Sequence, residues 1–306
     1  ATAGRRRKTE SFVLSTPTCH IPVLVDQVVA GLQPSAGQTI VDGTFGGGGH
    51  TQELARRVLP GGQIIALDLD ATALERRRAL PADLPIQLVQ ANFANLPEVL
   101  RLQGISLVDG VLLDLGVSSG QSADPARGFS CSPEGPLDLR FDPTQGEPAW
   151  QLLARLDAEK IADILYQYGE ERRSRPIARQ IVQVRREKPI RTAAELAEVV
   201  ARCVSRSVHH RIHPATRTFQ ALRIAVNQEL RALEQALAEI PACLRPGGRL
   251  AVISFHSLED RRVKWAFRKD QRLEPLTRRP IQAGADEIAA NPRARSAKLR
   301  IAERLD

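Results

Sequence analysis

The stretch Thr39–His50, TIVDGTFGGGGH, constrains the fold more than any other part of the chain. Ile40 and Val41 are β-branched, which suits a buried strand of a parallel sheet. The four consecutive glycines that follow remove every Cβ where a ligand would approach the backbone, and they permit positive φ angles. An amphipathic helix is predicted next, over Thr51–Val58. Strand, turn and helix together are typical of a nucleotide-type cofactor site, although a glycine run alone is equally compatible with a flexible loop.

The spacing of the following acidic residue narrows the choice of cofactor. A second strand is predicted over Gln63–Leu69, and its Asp68 lies about twenty residues beyond the glycines, where an acidic side chain often binds a ribose diol. A dinucleotide site requires G-x-G-x-x-G, but the third glycine position falls on Thr51 in one register and on Gln52 in the other. The sequence therefore favours S-adenosylmethionine, which has no pyrophosphate to bind at a helix N-terminus, over NAD or FAD.

Strands and helices alternate through the first part of the chain. Helices are predicted over Val25–Leu32 and Ala71–Ala79, and further strands over Ile86–Phe93 and Leu107–Gly116. This alternation predicts an α/β fold with a doubly wound, mostly parallel sheet. Ligands of such sheets bind beyond the carboxyl ends of the strands, so we expect the residues at four strand ends to meet at one pocket. These residues are Gly46–His50, Asp68, Asn92–Phe93 and Asp114.

The alternation stops in the middle of the chain, which indicates an inserted helical domain over residues 125–214. Three helices are predicted there, over Asp157–Tyr168, Pro176–Arg186 and Thr192–Val204, the last beginning with a capping box. The sheet pattern then resumes with one long helix over Thr216–Ile240, a strand over Arg249–Ser254 and a closing strand at the sheet edge over Ser296–Arg304. The sheet domain is thus predicted to comprise residues 20–124 and 215–306, after a basic tail over residues 1–19.

The positive charge of the chain is concentrated in that insert. The formal net charge is +8, and Arg172–Arg217 contains twelve Arg or Lys residues against three Glu. This surplus indicates a polyanionic partner, with a solvated basic surface as the alternative. Aromatic residues make up only 4% of the chain, so base stacking on many aromatic platforms is not expected.

Several function classes are disfavoured by composition. The four cysteines are too far apart for a CxxC metal or redox pair, so we expect a reducing compartment and no metal; they are Cys19, Cys131, Cys203 and Cys243. No stretch has the apolar length of a membrane span, and the basic N-terminus lacks the apolar core of a signal peptide. We expect a cytoplasmic protein, or an organellar one if the basic N-terminus is a processed transit segment.

Eight motifs in a fixed order are specific enough to suggest a family. They are HIPVL (His20–Leu24), DGTFGGGGH (Asp42–His50), LLDLGVSSGQ (Leu112–Gln121), RGFS (Arg127–Ser130), GPLDLRFDP (Gly135–Pro143), HPATRTFQALRIAVN (His213–Asn227), ISFHSLEDRRVK (Ile253–Lys264) and NPRARS (Asn291–Ser296). In these motifs the chain resembles the MraW/RsmH family of S-adenosylmethionine-dependent methyltransferases. Departures from the family pattern are mild, and the main one is Gly120 where proline is common.

The resemblance implies a fold, a reaction and a partner. The fold would be of the class I, Rossmann-like methyltransferase type. The reaction would be methyl transfer from S-adenosylmethionine to N4 of a cytidine in the decoding region of small-subunit (16S) ribosomal RNA. The partner would be that RNA, in the assembled or late-assembling small subunit. Homodimer formation stays open at this point.

The resemblance also implies roles for individual residues. Asp68 would accept from the ribose hydroxyls, Phe93 would lie against the adenine, and Asp114 would supply a polar contact near the sulfonium or amino group. Methyl transfer to an amine also needs an acceptor for a hydrogen bond from that amine, and Asp114 is the best-placed carboxylate, at the end of the fourth strand, so it is the candidate catalytic group. A cofactor-only role for Asp114, with backbone carbonyls of Leu115–Ser119 as acceptors, remains an alternative. Expected cofactor contacts are Gly48, Gly49, His50, Asp68, Phe93, Asp114 and Gln121. Expected substrate contacts are Ser118, Ser119, Asp138, Arg140, Arg185, Arg186, His213, Arg217 and His256.

Two other functions compete with this one. DNA amino-methyltransferases perform the same chemistry but carry an Asp/Asn/Ser-Pro-Pro-aromatic motif after the fourth strand, where this chain has Asp114-Leu-Gly-Val. A non-catalytic RNA-binding or ribosome-assembly factor could keep the same fold. The polar groups at four strand ends argue against it, because unpaired polar groups in an empty pocket cost stability.

Overall fold

A computed structural model describes residues 21–129, 135–204 and 213–306. Its strands are β1 Thr39–Asp42, β2 Gln63–Asp68, β3 Ile86–Gln90, β4 Val108–Asp114, β5 Leu244–Ser254, β6 Leu273–Pro275 and β7 Lys298–Arg304. Its helices are α1 Val25–Leu32, α2 Gly49–Val58, α3 Ala73–Arg78, α4 Leu96–Leu102, α5 Ser119–Ala123, α6 Ala149–Arg155, α7 Ala158–Gly169, α8 Ser174–Glu187, α9 Ala193–Cys203, α10 Thr216–Asn227, α11 Glu229–Cys243, α12 Ser257–Lys269 and α13 Ala285–Ala290. The predicted basic tail, His20, Cys19, Cys131 and Ser130 of the RGFS motif lie outside the described residues.

Within the described ranges, seven strands form one sheet in the order β3-β2-β1-β4-β5-β7-β6. Strands β1 to β5 pair in parallel, whereas β7 pairs antiparallel with both β5 and β6. The predicted doubly wound, mostly parallel α/β sheet is therefore confirmed. The predicted edge position of the last strand is wrong, because β6 lies outside it. Strand β6 is only three residues long, too short for its pattern to be recognised in the sequence.

Apolar residues cover both faces of the sheet. On one face, Leu113 and Val252 pack against Leu233 of α11 and Phe267 of α12. On the other face, residues of β1 and β5 pack against α1 and α2, through side chains such as Val28 and Leu54. Burial on both faces explains why β4 reads as a nearly continuous apolar run. The carboxyl ends of the parallel strands stay clear of this packing and form one edge.

The insert has an apolar core of its own. It is built by helices α6 to α9 together with Leu137 and Leu139 of the preceding loop, and Phe219 and Leu222 of α10 belong to it as well. The helices predicted from the sequence correspond to α7, α8 and α9, and the capping box of α9 at Thr192 and Glu195 is present. Because α10 packs into this core, the core of the insert includes residues beyond position 214, and the domain bounds themselves stay a prediction.

The predicted single helix over Thr216–Ile240 is wrong, since the chain breaks into α10 and α11 at Gln228. Gln228 has a left-handed backbone, with φ 50° and ψ 35°. The break redirects the chain between two cores: Leu222 of α10 packs on the insert, whereas Leu233 of α11 packs on the sheet. No helix within the three described ranges is long and apolar enough to cross a membrane.

Candidate active site at the carboxyl edge of the sheet

One large cavity opens at the carboxyl ends of β1, β2, β3 and β4. It contains about 1140 Å³ of empty space, including the part open to solvent. Its walls include Gly46, Asp68, Phe93 and Asp114, one residue from each of the four predicted strand ends. The structure therefore brings together the residues that parallel strand order predicts to converge.

The buried carboxylate of Asp42 fixes the glycine turn. Its Oδ1 accepts from the Thr44 backbone N–H at 3.0 Å, and its Oδ2 accepts from Thr51 Oγ1 at 2.6 Å. Gly46 and Gly48 in this turn have φ angles of 52° and 77°, which favour glycine. The turn is thus held at both ends, and Gly46, Gly49 and His50 face the cavity. Gly48 instead faces Phe45 and Leu80, where a Cβ would meet side-chain atoms at 2.9 Å.

Asp114 is a buried carboxylate in the cavity wall with a raised pKa. Burial raises its pKa to about 6, although His50 opposes the shift. Its Oδ2 lies 3.5 Å from Nδ1 of His50, whose Nε2 contacts the Val23 carbonyl oxygen at 2.8 Å. Among the described residues, none donates a hydrogen bond to the buried Oδ1 of Asp114. Such an acceptor is costly to bury unless a ligand pairs with it.

Asp68 shapes the glycine turn as well as the cavity wall. Its Oδ2 accepts from the Gly46 N–H at 2.9 Å, and Arg76 Nη2 lies 3.4 Å from the same oxygen. Burial raises the pKa of Asp68, while backbone donors and Arg76 act in the opposite direction. The sequence reasoning expected a ribose acceptor here; the structure adds a role in holding the turn, and the ribose contact stays a prediction.

Gln121 lines the cavity but its amide is engaged by the protein. Its Nε2 donates to Asp70 Oδ2 at 3.2 Å, and its Oε1 accepts from the Ser118 N–H at 3.1 Å in a capping box for α5. Arg127 donates to the same Asp70 oxygen at 3.1 Å and to the Phe141 carbonyl oxygen at 2.8 Å. A single network thus connects the strand-end loop after β2 to the insert. A direct contact of Gln121 with a cofactor remains a prediction.

The opposite wall of the cavity carries three charged residues that the sequence reasoning did not select. Glu229 forms a buried bidentate pair with Arg223, at 2.8 and 2.9 Å, and burial raises its pKa. Glu259 is 2% exposed and accepts from the Phe255 N–H at 2.8 Å. Arg293 donates to the Val117 carbonyl oxygen. Glu259 lies in the SLED part of one family motif, Arg293 lies in NPRARS, and Glu229 lies just beyond HPATRTFQALRIAVN. These motifs were the signal by which the sequence could have pointed to the three residues.

Several predicted substrate residues lie away from the cavity. Asp138 and Arg140 pair through two hydrogen bonds of 2.7 and 2.8 Å and so order the loop that places Phe141 in the cavity wall. His213 and Arg217 are exposed at the start of α10. His256 caps α12, and its Nε2 lies 3.1 Å from Glu259 Oε1, outside hydrogen-bonding geometry. Ser118 does line the cavity, whereas the side chain of Ser119 lies outside the described part of the chain.

The basic cluster of the insert is partly used within the protein. The guanidinium of Arg185 donates to the carbonyl oxygens of Leu153 and Leu156 at the end of α6, which gives it a structural role, and its phosphate contact stays a prediction. Arg186 is exposed. Lys188 forms an exposed ion pair with Glu195 at 2.6 Å, which contributes to lowering the pKa of Glu195 to about 2.

In the described parts of the chain, no group of three or more His, Cys, Asp or Glu side chains is arranged to hold a metal ion.

Comparison with known proteins identifies the family. The model of the MraW methylase family matches residues 17–305, nearly the whole chain. The chain belongs to the MraW methylase family.

Curated relatives agree with this assignment over almost their full length. A protein of Thermomicrobium roseum named ribosomal RNA small subunit methyltransferase H is 49% identical, with 94% of each chain covered. A protein of the same name from Cyanothece sp. is 51% identical, with 94% of this chain and 95% of the relative covered. Another from Deinococcus radiodurans is 48% identical, with 97% of this chain and 93% of the relative covered.

Asp68 provides the first prediction for this member of the MraW methylase family. If its carboxylate binds the ribose hydroxyls, Asp68→Ala should lose about 1.5–3 kcal/mol of cofactor binding, or about ten- to a hundredfold in affinity. Asp68→Asn should lose less, because its amide oxygen still accepts from the Gly46 N–H. Calorimetric titration with S-adenosylhomocysteine measures both. An unchanged dissociation constant for a folded Asp68→Ala protein would remove Asp68 from the cofactor site.

The basic cluster provides the second prediction. Arg186→Glu combined with Lys188→Glu should weaken binding of a small-subunit rRNA fragment and lower the salt slope by about 0.7 per lost single-strand phosphate contact. Cofactor affinity should not change, since phosphate contacts position RNA without touching the cavity. Arg185→Glu should also lower the unfolding temperature, because it releases two carbonyl oxygens. An unchanged salt slope for the double variant would identify the cluster as a solvated surface.

Proposed function

We propose that this chain transfers a methyl group from S-adenosylmethionine to N4 of a cytidine in the decoding region of small-subunit (16S) ribosomal RNA. Membership of the MraW methylase family and the names of the relatives support the methyl transfer to this RNA. The observation on which the N4 assignment rests is the buried Oδ1 of Asp114 at the strand edge, an acceptor to which no residue of the described ranges donates. An exocyclic amino group is a donor that fits such an acceptor.

The residues at the strand ends fit S-adenosylmethionine. The backbone of Gly46 and Gly49 leaves room for the methionine part, Asp68 can accept from the ribose hydroxyls, and Phe93 offers an apolar face to the adenine. The missing G-x-G-x-x-G spacing agrees with a cofactor that has no pyrophosphate. When bound, this cofactor supplies a methyl group that its sulfonium already activates.

The protein's task is then to position and polarise the amine. The lone pair of the cytosine N4 is delocalised into the ring, so the amine is a poor nucleophile. As the N–C bond forms and the S–C bond breaks, positive charge develops on N4. Asp114 Oδ1 can accept a hydrogen bond from this amine and then its proton, which afterwards passes to solvent. A pKa of about 6 leaves Asp114 ionised at neutral pH and still able to take up a proton.

His50 and Thr44 hold Asp114 for this role. Thr44 Oγ1 accepts from the Asp114 backbone N–H at 2.6 Å, and His50 lies beside the second carboxylate oxygen. These contacts leave Oδ1 as the oxygen that remains for the substrate. The fixed direction matters because a displacement of the acceptor by about 1 Å can lower the rate about a hundredfold.

The proposal is tested by locating the transferred methyl group. The protein is incubated with methyl-labelled S-adenosylmethionine and either small ribosomal subunits or naked small-subunit rRNA, and the labelled nucleotide is mapped. We expect N4-methylcytidine in the decoding region, formed with assembled or late-assembling particles as the better substrate. Label at another base or another atom, or no transfer to either form of the RNA, would contradict the proposal.

Asp114→Asn tests the catalytic role. The amide cannot accept the proton, so single-turnover transfer should fall by about a hundred- to ten-thousandfold while cofactor affinity is kept. In the wild type the carboxylate is the active form. The rate should therefore rise with pH to a plateau above pH 6, and at pH 5 it should be about tenfold lower. The variant should lack this ionisation.

Asp109→Asn is the matched control, since Asp109 lies near the other end of β4, with its Oδ2 bound to the Thr39 N–H at 2.8 Å. It should keep both the rate and the pH profile. If Asp114→Asn lowers only cofactor affinity, and saturating cofactor restores the rate, then Asp114 is not the acceptor and the backbone carbonyls of the following turn take its place.

A further inference from the structure

The outer face of α12 combines an exposed aromatic ring with positive charge. Trp265 is one of only two tryptophans in the chain, and it is 48% exposed. The ammonium groups of Lys264 and Lys269 each lie 5.6 Å from the centroid of its ring. Proteins bind single-stranded nucleic acid by stacking a base on an aromatic ring and by placing cations beside the phosphates, and this face offers both groups.

The charges on this face favour an anionic partner. Two neighbouring arginines are neutralised locally, Arg262 by Glu234 at 2.6 Å and Arg272 by Asp270 at 2.6 Å. By contrast, within residues 21–129, 135–204 and 213–306 no ion pair involves Lys264, Arg268 or Lys269. Lys264 and Lys269 lie beside the exposed ring and Arg268 follows three residues after it on α12, so the surface is complementary to a chain of phosphates.

The position of α12 connects this face to the active site. The helix begins immediately beyond the end of β5, and Glu259 in its first turn lines the cavity. Trp265 lies six residues further on, about 9 Å along the helix axis. A shallow groove beside it runs between α11 and α12, with Glu234, Leu237 and Lys269 in its walls. The cavity and the groove therefore share α12 as a common wall.

We infer that the α12 face is a second RNA contact, which binds a single-stranded segment adjacent to the target nucleotide. One base stacks on Trp265, and Lys264, Arg268 and Lys269 bind the flanking phosphates. The inference rests on the proposed function, because it assigns a place to that RNA. A second copy of this chain fits the face less well. A two-fold contact would bring the same uncompensated cations of both copies together.

The experiment measures RNA binding and methyl transfer with the full chain. The probes are a single-stranded rRNA fragment that spans the target cytidine, and small ribosomal subunits. Trp265→Ala should raise the dissociation constant for the fragment about five- to a hundredfold and raise KM, without changing kcat at saturating RNA. Trp265→Phe should restore most of the affinity, because phenylalanine still stacks.

The charge contribution is separated by a second pair of variants. Arg268→Glu with Lys269→Glu should lower the salt slope by about 1.4, as expected for two lost single-strand phosphate contacts. Arg56→Glu with Arg78→Glu changes the net charge equally on the exposed surfaces of α2 and α3, far from α12 in the sheet order, and should leave the slope nearly unchanged.

The outcomes distinguish the inference from the proposed function. If the wild type methylates the particle but Trp265→Ala binds the fragment as tightly as the wild type does, the α12 face is not an RNA contact and the proposed function stands. The same conclusion follows if light scattering shows that Trp265→Ala turns a dimer into a monomer while RNA affinity is kept. If the wild type methylates no rRNA, the proposed function itself fails.

Discussion

The active-site edge depends on one buried carboxylate, that of Asp42 at the end of β1. A carboxylate without exposure to water is costly to bury, and here the cost is offset by hydrogen bonds from Thr44 and Thr51 on the two sides of the glycine turn. Thr44 in turn accepts from the backbone of Asp114. This sequence of contacts fixes β1, α2 and β4 relative to one another. The backbone position of Asp114 therefore depends on Asp42, a residue that does not line the cavity.

A second constraint joins the insert to the sheet through Asn227. Its Oδ1 accepts from the Phe141 N–H at 2.7 Å, and its Nδ2 donates to the Leu139 carbonyl oxygen at 2.7 Å. The same residue ends α10, immediately before the left-handed Gln228 that turns the chain toward the sheet. The core of the insert and the core of the sheet are adjacent at this amide. Phe141, in a loop of the insert, and Glu229, in α11, both line the cavity. The insert thus completes the site as well as extending the surface.

The sequence predicts the parallel sheet and its four converging strand ends because both follow from local patterns. β-Branched runs, glycine spacing and strand-terminal carboxylates are visible within a few residues, and α1 begins and ends where its apolar spacing predicts. Features that depend on distant partners were not predictable. Gln228 carries no helix-breaking signal, and the break at that position reflects packing against two cores. Arg185 reads as a surface charge, but the direction of its guanidinium is decided by two carbonyl oxygens about thirty residues earlier. Glu259 and Arg293 reach the cavity from segments whose secondary structure was not predicted.

The internal position of β7 has a consequence for the order in which the sheet is completed. Within the described residues, β6 pairs with β7 alone, although it precedes β7 by more than twenty positions in the chain. Strand β6 is therefore joined to the sheet only through β7. Without β7, β5 has an open edge with unsatisfied backbone groups, which is a template for unintended pairing. The last two strands are expected to assemble as one cooperative unit, in which loss of β7 removes both strands from the sheet.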